Sequence, residues 1–249
     1  MKKLKEIILG IFMVAVIVSL IYFFYQYDKG RPNRELAKRI AELSPKGGPP
    51  ETIDGLKKAI ALYETQVEQN VREGAQTGVY WKILAIRLAD KGMHQDALAA
   101  FERAIYYNAQ DPTLYNLTGV SAGVAAKSTV GFSANAEKEK EHLYKLSESS
   151  YIRALELDDT YTKPMYGLGV LYVFELNRPA EAIPYLERYL RIQSSDVPVM
   201  FILARAYYMT GNFSQAIELY ERIIARTKDK KAKEEALNNI NIIQGLLYE

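Results

Sequence analysis

Large apolar and small residues recur along the second half of the chain with a period of about 34 residues. Counted from Gly78, Trp81, Leu84, Ala85, Leu88, Gly92, Ala97, Phe101 and Ala104 fall at positions 4, 7, 8, 11, 15, 20, 24 and 27. Counted from Val197, the same positions hold Met200, Leu203, Ala204, Tyr207, Gly211, Ala216, Tyr220 and Ile223. Within each copy the apolar residues stand three and four apart, which is the helical period. Large residues at 4, 7, 11 and 24 fill the space between two antiparallel helices. Small residues at 8, 20 and usually 27 let the backbones approach, with Ile223 the exception. The pattern predicts an all-α fold of stacked helix pairs.

Two further copies are irregular. One starts at Thr162 with Met165, Leu168, Gly169, Tyr172, Ala182 and Leu186, carries one extra residue, expected in the turn around Asn177 and Pro179, and ends on Tyr189 where a small residue belongs. The other starts at Pro112 with Tyr115, Thr118, Gly119 and Ala122 and resumes at Ser147, Tyr151 and Ala154, so its turn holds 16 extra residues. The Gly, Ser, Thr and Asn content of residues 128–135 reads as a loop. From Ala136 the chain is expected to lengthen the following helix into an arm that projects as a docking element, or else to be a tolerated insertion.

The repeats resemble the tetratricopeptide repeat (TPR) family over roughly residues 78–230. The resemblance implies a helical solenoid of about four repeats, one of them split, whose first helices line a groove through positions 2, 5, 9, 12 and 13. Those positions hold Val79, Lys82, Ile86, Ala89 and Asp90, then Thr113, Asn116 and Val120, then Lys163, Tyr166, Val170, Val173 and Phe174, then Pro198, Phe201, Arg205, Tyr208 and Met209. Lys82, Asn116, Lys163, Tyr166, Phe174, Phe201, Arg205 and Tyr208 are therefore the expected partner-binding residues. Aromatic rings offer contact area at low entropy cost and arginine pairs a carboxylate, which suits a peptide or an amphipathic helix. The clamp that some TPR modules use for chaperone C-termini is incomplete here, because Ile86 and Gly167 stand where it needs asparagine and a basic residue.

Ahead of the repeats, Ile7 to Tyr25 is a run of 19 residues without a charge, about 28 Å as a helix, with an aromatic cluster at its end. It reads as one uncleaved transmembrane helix, since a cleaved signal has a shorter apolar run and small residues after it. Lysines and arginines are nearly balanced across the span, so orientation rests on the short N-terminal tail staying in the cytoplasm. Residues 34–43 are expected to form a short basic amphipathic helix, and SPKGGPP at 44–50 to break it. The chain thus divides into a tail at 1–6, a transmembrane helix at 7–25 and a juxtamembrane segment and hinge at 26–51. A capping helix at 52–77 precedes repeats at 78–111, 112–161 (insertion near 123–142), 162–196 and 197–230, and a second capping helix closes the chain at 231–249.

Composition removes other classes. Thirty-two basic and 30 acidic residues leave a net charge of +2, which gives no basic patch for nucleic acid. There is no cysteine, and the two histidines, His94 and His142, lack metal-ligand spacing, so no metal, cofactor or catalytic residue is assigned. The expected function is a non-enzymatic scaffold anchored in a bacterial inner membrane, with its repeats in the periplasm and homo- or hetero-oligomerisation left open. The string from Tyr166 to Leu190 is similar to membrane-anchored TPR proteins of spirochaetes, some of which build the collar of the periplasmic flagellar motor. The alternative is a membrane-tethered chaperone or assembly factor for exported proteins.

Overall fold

A computed structural model describes residues 19–20, 22, 31–43, 52–129 and 134–247. The expected transmembrane span therefore lies outside the described residues, apart from Ser19, Leu20 and Tyr22. Among the described residues no helix is long and apolar enough to cross a membrane. The same residues contain helices and no strand. They are α1 (Arg31–Leu43), α2 (Ile53–Asp90), α3 (His94–Tyr107), α4 (Pro112–Ser128), α5 (Ala134–Leu157), α6 (Thr162–Val170) with a π-helical turn (Leu171–Glu175), α7 (Pro179–Ile192), α8 (Val197–Met209), α9 (Phe213–Arg226) and α10 (Lys230–Leu247). Contacts divide the chain into two units, Met1–Glu73 and Gly74–Glu249.

In the first unit α1 is the expected amphipathic helix, begun three residues earlier than its apolar pattern suggests. The start of α2 is capped by Thr52, whose Oγ1 accepts the Gly55 N–H at 3.0 Å. The expected capping helix and the first repeat helix are one element, since α2 runs unbroken to Asp90. No proline lies between Arg72 and Gly78, and a lone glycine there costs about 1 kcal/mol without ending a helix. The apolar side chains that a cap buries, Leu56, Ile60, Tyr63 and Val67, are exposed.

The second unit stacks helix pairs through the small positions read from the sequence. Ala85, Ala97, Ala104, Ala122, Ala154, Ala182, Ala204 and Ala216 are fully buried, and Phe101, Leu168, Leu186, Met200 and Ile223 fill the space between the helices. Two of the four turns are closed by glycine in the left-handed region, Gly92 and Gly211, both at φ 76°. In each, the next residue's N–H donates to position 11, from Met93 to Leu88 at 3.0 Å and from Asn212 to Tyr207 at 2.8 Å.

The third repeat departs from this, and not where its extra residue was expected. Asn177 (φ 52°) takes the glycine's left-handed role, and the N–H of Arg178 donates to Tyr172 at 2.8 Å, one residue further than in the regular turns. The extra residue thus lies after Tyr172, inside the helix, where the Leu176 N–H donates to Leu171 across a π-helical turn. Counted back from Asn177, Phe174 and Glu175 occupy positions 12 and 13. Val173, expected on the groove, is buried.

The insertion is shared by both helices of the second repeat. α4 has 17 residues against 13 in α8, and α5 has 24 against 14 in α9. The added turns do not project as a free arm. Ala125, Ala126, Leu143 and Tyr144 are buried in the main core, and the Gln95 amide of α3 donates to Glu139 at 2.9 Å.

The tightest packing lies at glycines. A Cβ on Gly119 would stand 2.7 Å from the Tyr151 ring, and one on Gly167 would stand 2.5 Å from the same ring, whereas Gly245 has nothing within 4 Å. Gly119→Ala and Gly167→Ala are each expected to destabilise by about 1–3 kcal/mol, and Gly245→Ala to be neutral or slightly stabilising, read as urea midpoints.

Candidate functional site

The first helices of the second and third repeats form an open groove of about 770 Å³. On α4 it is lined by Asn116, Val120, Val124 and Lys127, residues three and four apart that share one helix face. α6 adds Lys163, Tyr166 and Val170, the π-helical turn adds Glu175, and Tyr189, Gln193 and Asp196 close the side nearest Pro198. Asp111 starts α4 by accepting the Thr113 N–H at 2.9 Å, with Pro112 at the first helical position. Asp196 starts α8 in the same way through Val199.

The floor is Tyr151, its ring pressed against Gly119 and Gly167. Burial pushes its phenol up to about 12, so it remains a neutral packing element. Ser147 beside it donates to the Gly119 carbonyl at 2.8 Å. Asn116 differs from these satisfied groups. It is only 5% exposed, lines the groove, and its side-chain amide has no hydrogen-bond partner among the described residues. Among the described residues His94 Nδ1 is the buried side-chain atom without a partner, so the Asn116 amide is open to solvent from the groove.

One end of the groove is held by charge. Glu175 receives the Lys127 ammonium at 2.8 Å and the Tyr144 hydroxyl at 2.9 Å. Burial pushes the Glu175 carboxyl up, but Lys127 and Tyr144 outweigh it and hold the group below the usual glutamate range. Burial, and then Glu175 itself, push the Tyr144 phenol up to about 12. At the other end the Tyr189 hydroxyl donates to Asp196 at 2.6 Å. Lys163 is exposed and makes no ion pair among the described residues.

A second concavity of about 440 Å³ lies between α8 and α10, lined by Phe174, Phe201, Arg205, Tyr208 and Met209 and by Glu235, Asn239 and Ile242. The Arg205 guanidinium stands over the Phe174 ring at 5.0 Å, and Phe201 meets Tyr220 at 5.9 Å. The eight expected residues are therefore divided. Asn116, Lys163 and Tyr166 line the first groove, and Phe174, Phe201, Arg205 and Tyr208 line the second, which the C-terminal helix partly fills. Lys82 belongs to neither and pairs with Asp111 at 2.7 Å. Sequence reasoning missed Val124, Lys127, Glu175, Tyr189 and Asp196. For Glu175 the sequence showed one extra residue after Tyr172, but the count alone does not say whether the helix or the turn absorbs it. For Val124 and Lys127 the signal was the continuation of the Asn116–Val120 face into the insertion.

Among the described residues no group of three His, Asp or Glu side chains stands close enough to hold a metal. The tetratricopeptide repeat family profile matches residues 173–234. Those residues are tetratricopeptide repeats, and the helix pairs before them follow the same packing pattern. A "TPR repeat-containing protein" of Borreliella burgdorferi is 20% identical over 225 residues, 90% of this chain and 95% of that one. The cytochrome c-type biogenesis protein CycH of Bradyrhizobium diazoefficiens is 30% identical over 175 residues, 70% of this chain, and this chain spans 43% of CycH. Among solved structures it shares its fold with YrrB, described as a TPR protein with an unusual peptide-binding site (TM-score 0.54, 20% identity, 73% of this chain and 83% of that one). It also shares its fold with MamA (TM-score 0.52, 17% identity, 70% and 90%).

Glu175 supplies a pH test. Its folded pKa lies below the ordinary value of 4.5, so the stability from Lys127 and Tyr144 is fully present above that value and is lost as pH falls through the lowered one. Glu175→Gln is expected to cost about 1–2 kcal/mol at pH 7 and progressively less as the medium becomes acidic, measured as urea midpoints at pH 7 and pH 3.

Proposed function

We propose that this protein is a non-enzymatic scaffold, held at a bacterial inner membrane by the apolar run Ile7 to Tyr25, which binds a segment of a partner protein in the groove between α4 and α6. The observation that carries this reading is the open, largely apolar groove itself, onto which the Asn116 amide opens without a hydrogen bond to the described residues. Apolar walls at Val120, Val124 and Val170 take a partner's side chains, and Asn116 takes main-chain N–H and C=O groups. A helical partner has those groups already paired, whereas an extended or terminal segment offers them, so an extended segment is the better fit. Lys163, exposed at the mouth, favours an acidic residue there.

The placement in a cell envelope, with the repeats on the periplasmic side, is supported by the apolar run and by likeness over nearly the whole length to a repeat protein of the spirochaete Borreliella burgdorferi. A collar around a periplasmic flagellar motor is one assembly of that kind. A second reading, an assembly factor for exported proteins, is favoured by the likeness to CycH.

Crosslinking in intact cells followed by detergent purification and mass spectrometry tests this. The wild type is compared with Lys163→Glu/Tyr166→Ala in the first groove and Phe201→Ala/Arg205→Ala in the second. A few envelope subunits captured at fixed ratio, and lost about tenfold or more in the first variant alone, are the expected result. A broad substoichiometric set of exported proteins would establish the assembly-factor reading instead. Capture unchanged by the first variant in a chain of normal thermal stability would refute the groove.

A further inference from the structure

Among the described residues of the first unit, one helix face is left exposed. Along the N-terminal part of α2, Ile53, Leu56, Ile60, Tyr63, Val67 and Val71 are between 40% and 76% exposed. The first five follow one another at steps of three, four, three and four residues, which is the a and d spacing of a seam that faces another helix. The flank carrying Gly55 and Ala59 is buried, and among the described residues of this stretch the exposed large apolar side chains are those of the stripe. Its neighbours, Lys57, Lys58, Glu64 and Glu68, mix both signs, which argues against a lipid surface and for a protein helix.

We infer that a second copy of this chain covers the stripe, packed antiparallel as a two-helix seam. With Ile53 and Ile60 as a positions and Leu56 and Tyr63 as d positions, Ile60 faces the partner's Tyr63 and Leu56 faces the partner's Val67. The two-fold axis repeats both layers. That register sets Lys57 opposite the partner's Glu64, once on each side of the axis. Neither residue makes an ion pair among the described residues, whereas the adjacent Lys58 is engaged by Asp54 at 2.7 Å. A parallel pairing would set Lys57 against the partner's Thr52 and Glu64 against the partner's Ala59, and would leave both charges unused. The charges therefore select the antiparallel arrangement. The seam spans about 28 Å, short for an independent coiled coil, and confinement of both copies to one membrane would raise their effective concentration.

The absence of cysteine makes the test direct. In the full chain, in membranes and in detergent, Leu56→Cys and Val67→Cys are made singly and together. The antiparallel seam brings the position-56 Cα of one copy to within the roughly 7 Å a disulfide needs of position 67 in the other, and holds like positions about 16 Å apart. The expected result is a disulfide-linked dimer from the double variant and from mixed single variants, and none from either single variant alone. Single variants that crosslink to themselves would overturn the register. No crosslink in any combination, with helix content unchanged by circular dichroism, would overturn the dimer. Lys57→Glu and Glu64→Lys are each expected to weaken self-association about tenfold, and the two reversals combined to restore it. A combined variant as weak as either alone would also count against the pairing.

Discussion

The approach of α4 to α6 depends on one ring. Tyr151 sits against Gly119 on one helix and Gly167 on the other, and both contacts are closer than any side-chain carbon permits. The ring therefore sets how near the first helices of adjacent repeats come, and the width of the groove follows from that distance. Its phenol stays protonated through burial, so the spacer carries no charge to drive the helices apart. Ser147, one turn away on the same helix, fixes the floor by donating to the carbonyl of Gly119.

Two departures from the repeat that look independent in the chain meet at one carboxylate. The insertion lengthens α4 enough to bring Lys127 to the groove and lengthens α5 enough to bring Tyr144 there. The π-helical turn rotates Glu175 into the position between them. Glu175 at position 13 is ion-paired and mostly buried, whereas Asp90, the corresponding residue of the first repeat, is exposed. A second set of contacts ties the same turn to α5, with Glu148 accepting the Tyr172 hydroxyl at 2.8 Å and pairing with Arg178 at 3.0 Å. An extra residue inside a helix strains it unless neighbours hold the displaced side chains, and here they are held on both sides.

The sequence carried the fold well because the repeat is a packing rule. Ala85, Ala97, Ala204 and Ala216 were legible as helix contacts, and all are buried. What it hid was where an irregularity is absorbed. A count of residues between Tyr172 and Ala182 shows one too many, but a looser turn and a π-helical turn have the same count, and only the hydrogen bond from Arg178 to Tyr172 separates them. The continuity of α2 was hidden for a related reason, since a change of packing partner along a helix resembles a break when only the apolar pattern is read. Of the expected site, the residues on α4 and α6 were brought together as anticipated. Phe201, Arg205 and Tyr208 line a separate concavity, which the expected C-terminal capping helix α10 borders with Glu235, Asn239 and Ile242.

The polar groups along these surfaces differ in what the protein has already done with them. Lys82 is spent on Asp111, the residue that starts α4, and Lys127 on Glu175, so removing either disturbs a helix terminus or the groove wall before it disturbs a ligand. Asp196 is likewise engaged by Tyr189 and by the start of α8. Asn116 and Lys163 have no such internal duty. The Asn116 amide opens onto the groove, where water satisfies it in the free protein and the polar groups of a ligand can replace that water. Position in the repeat marks a wide set of residues as facing the groove, and it is the state of their hydrogen bonds and ion pairs that separates those building it from those free to meet a partner.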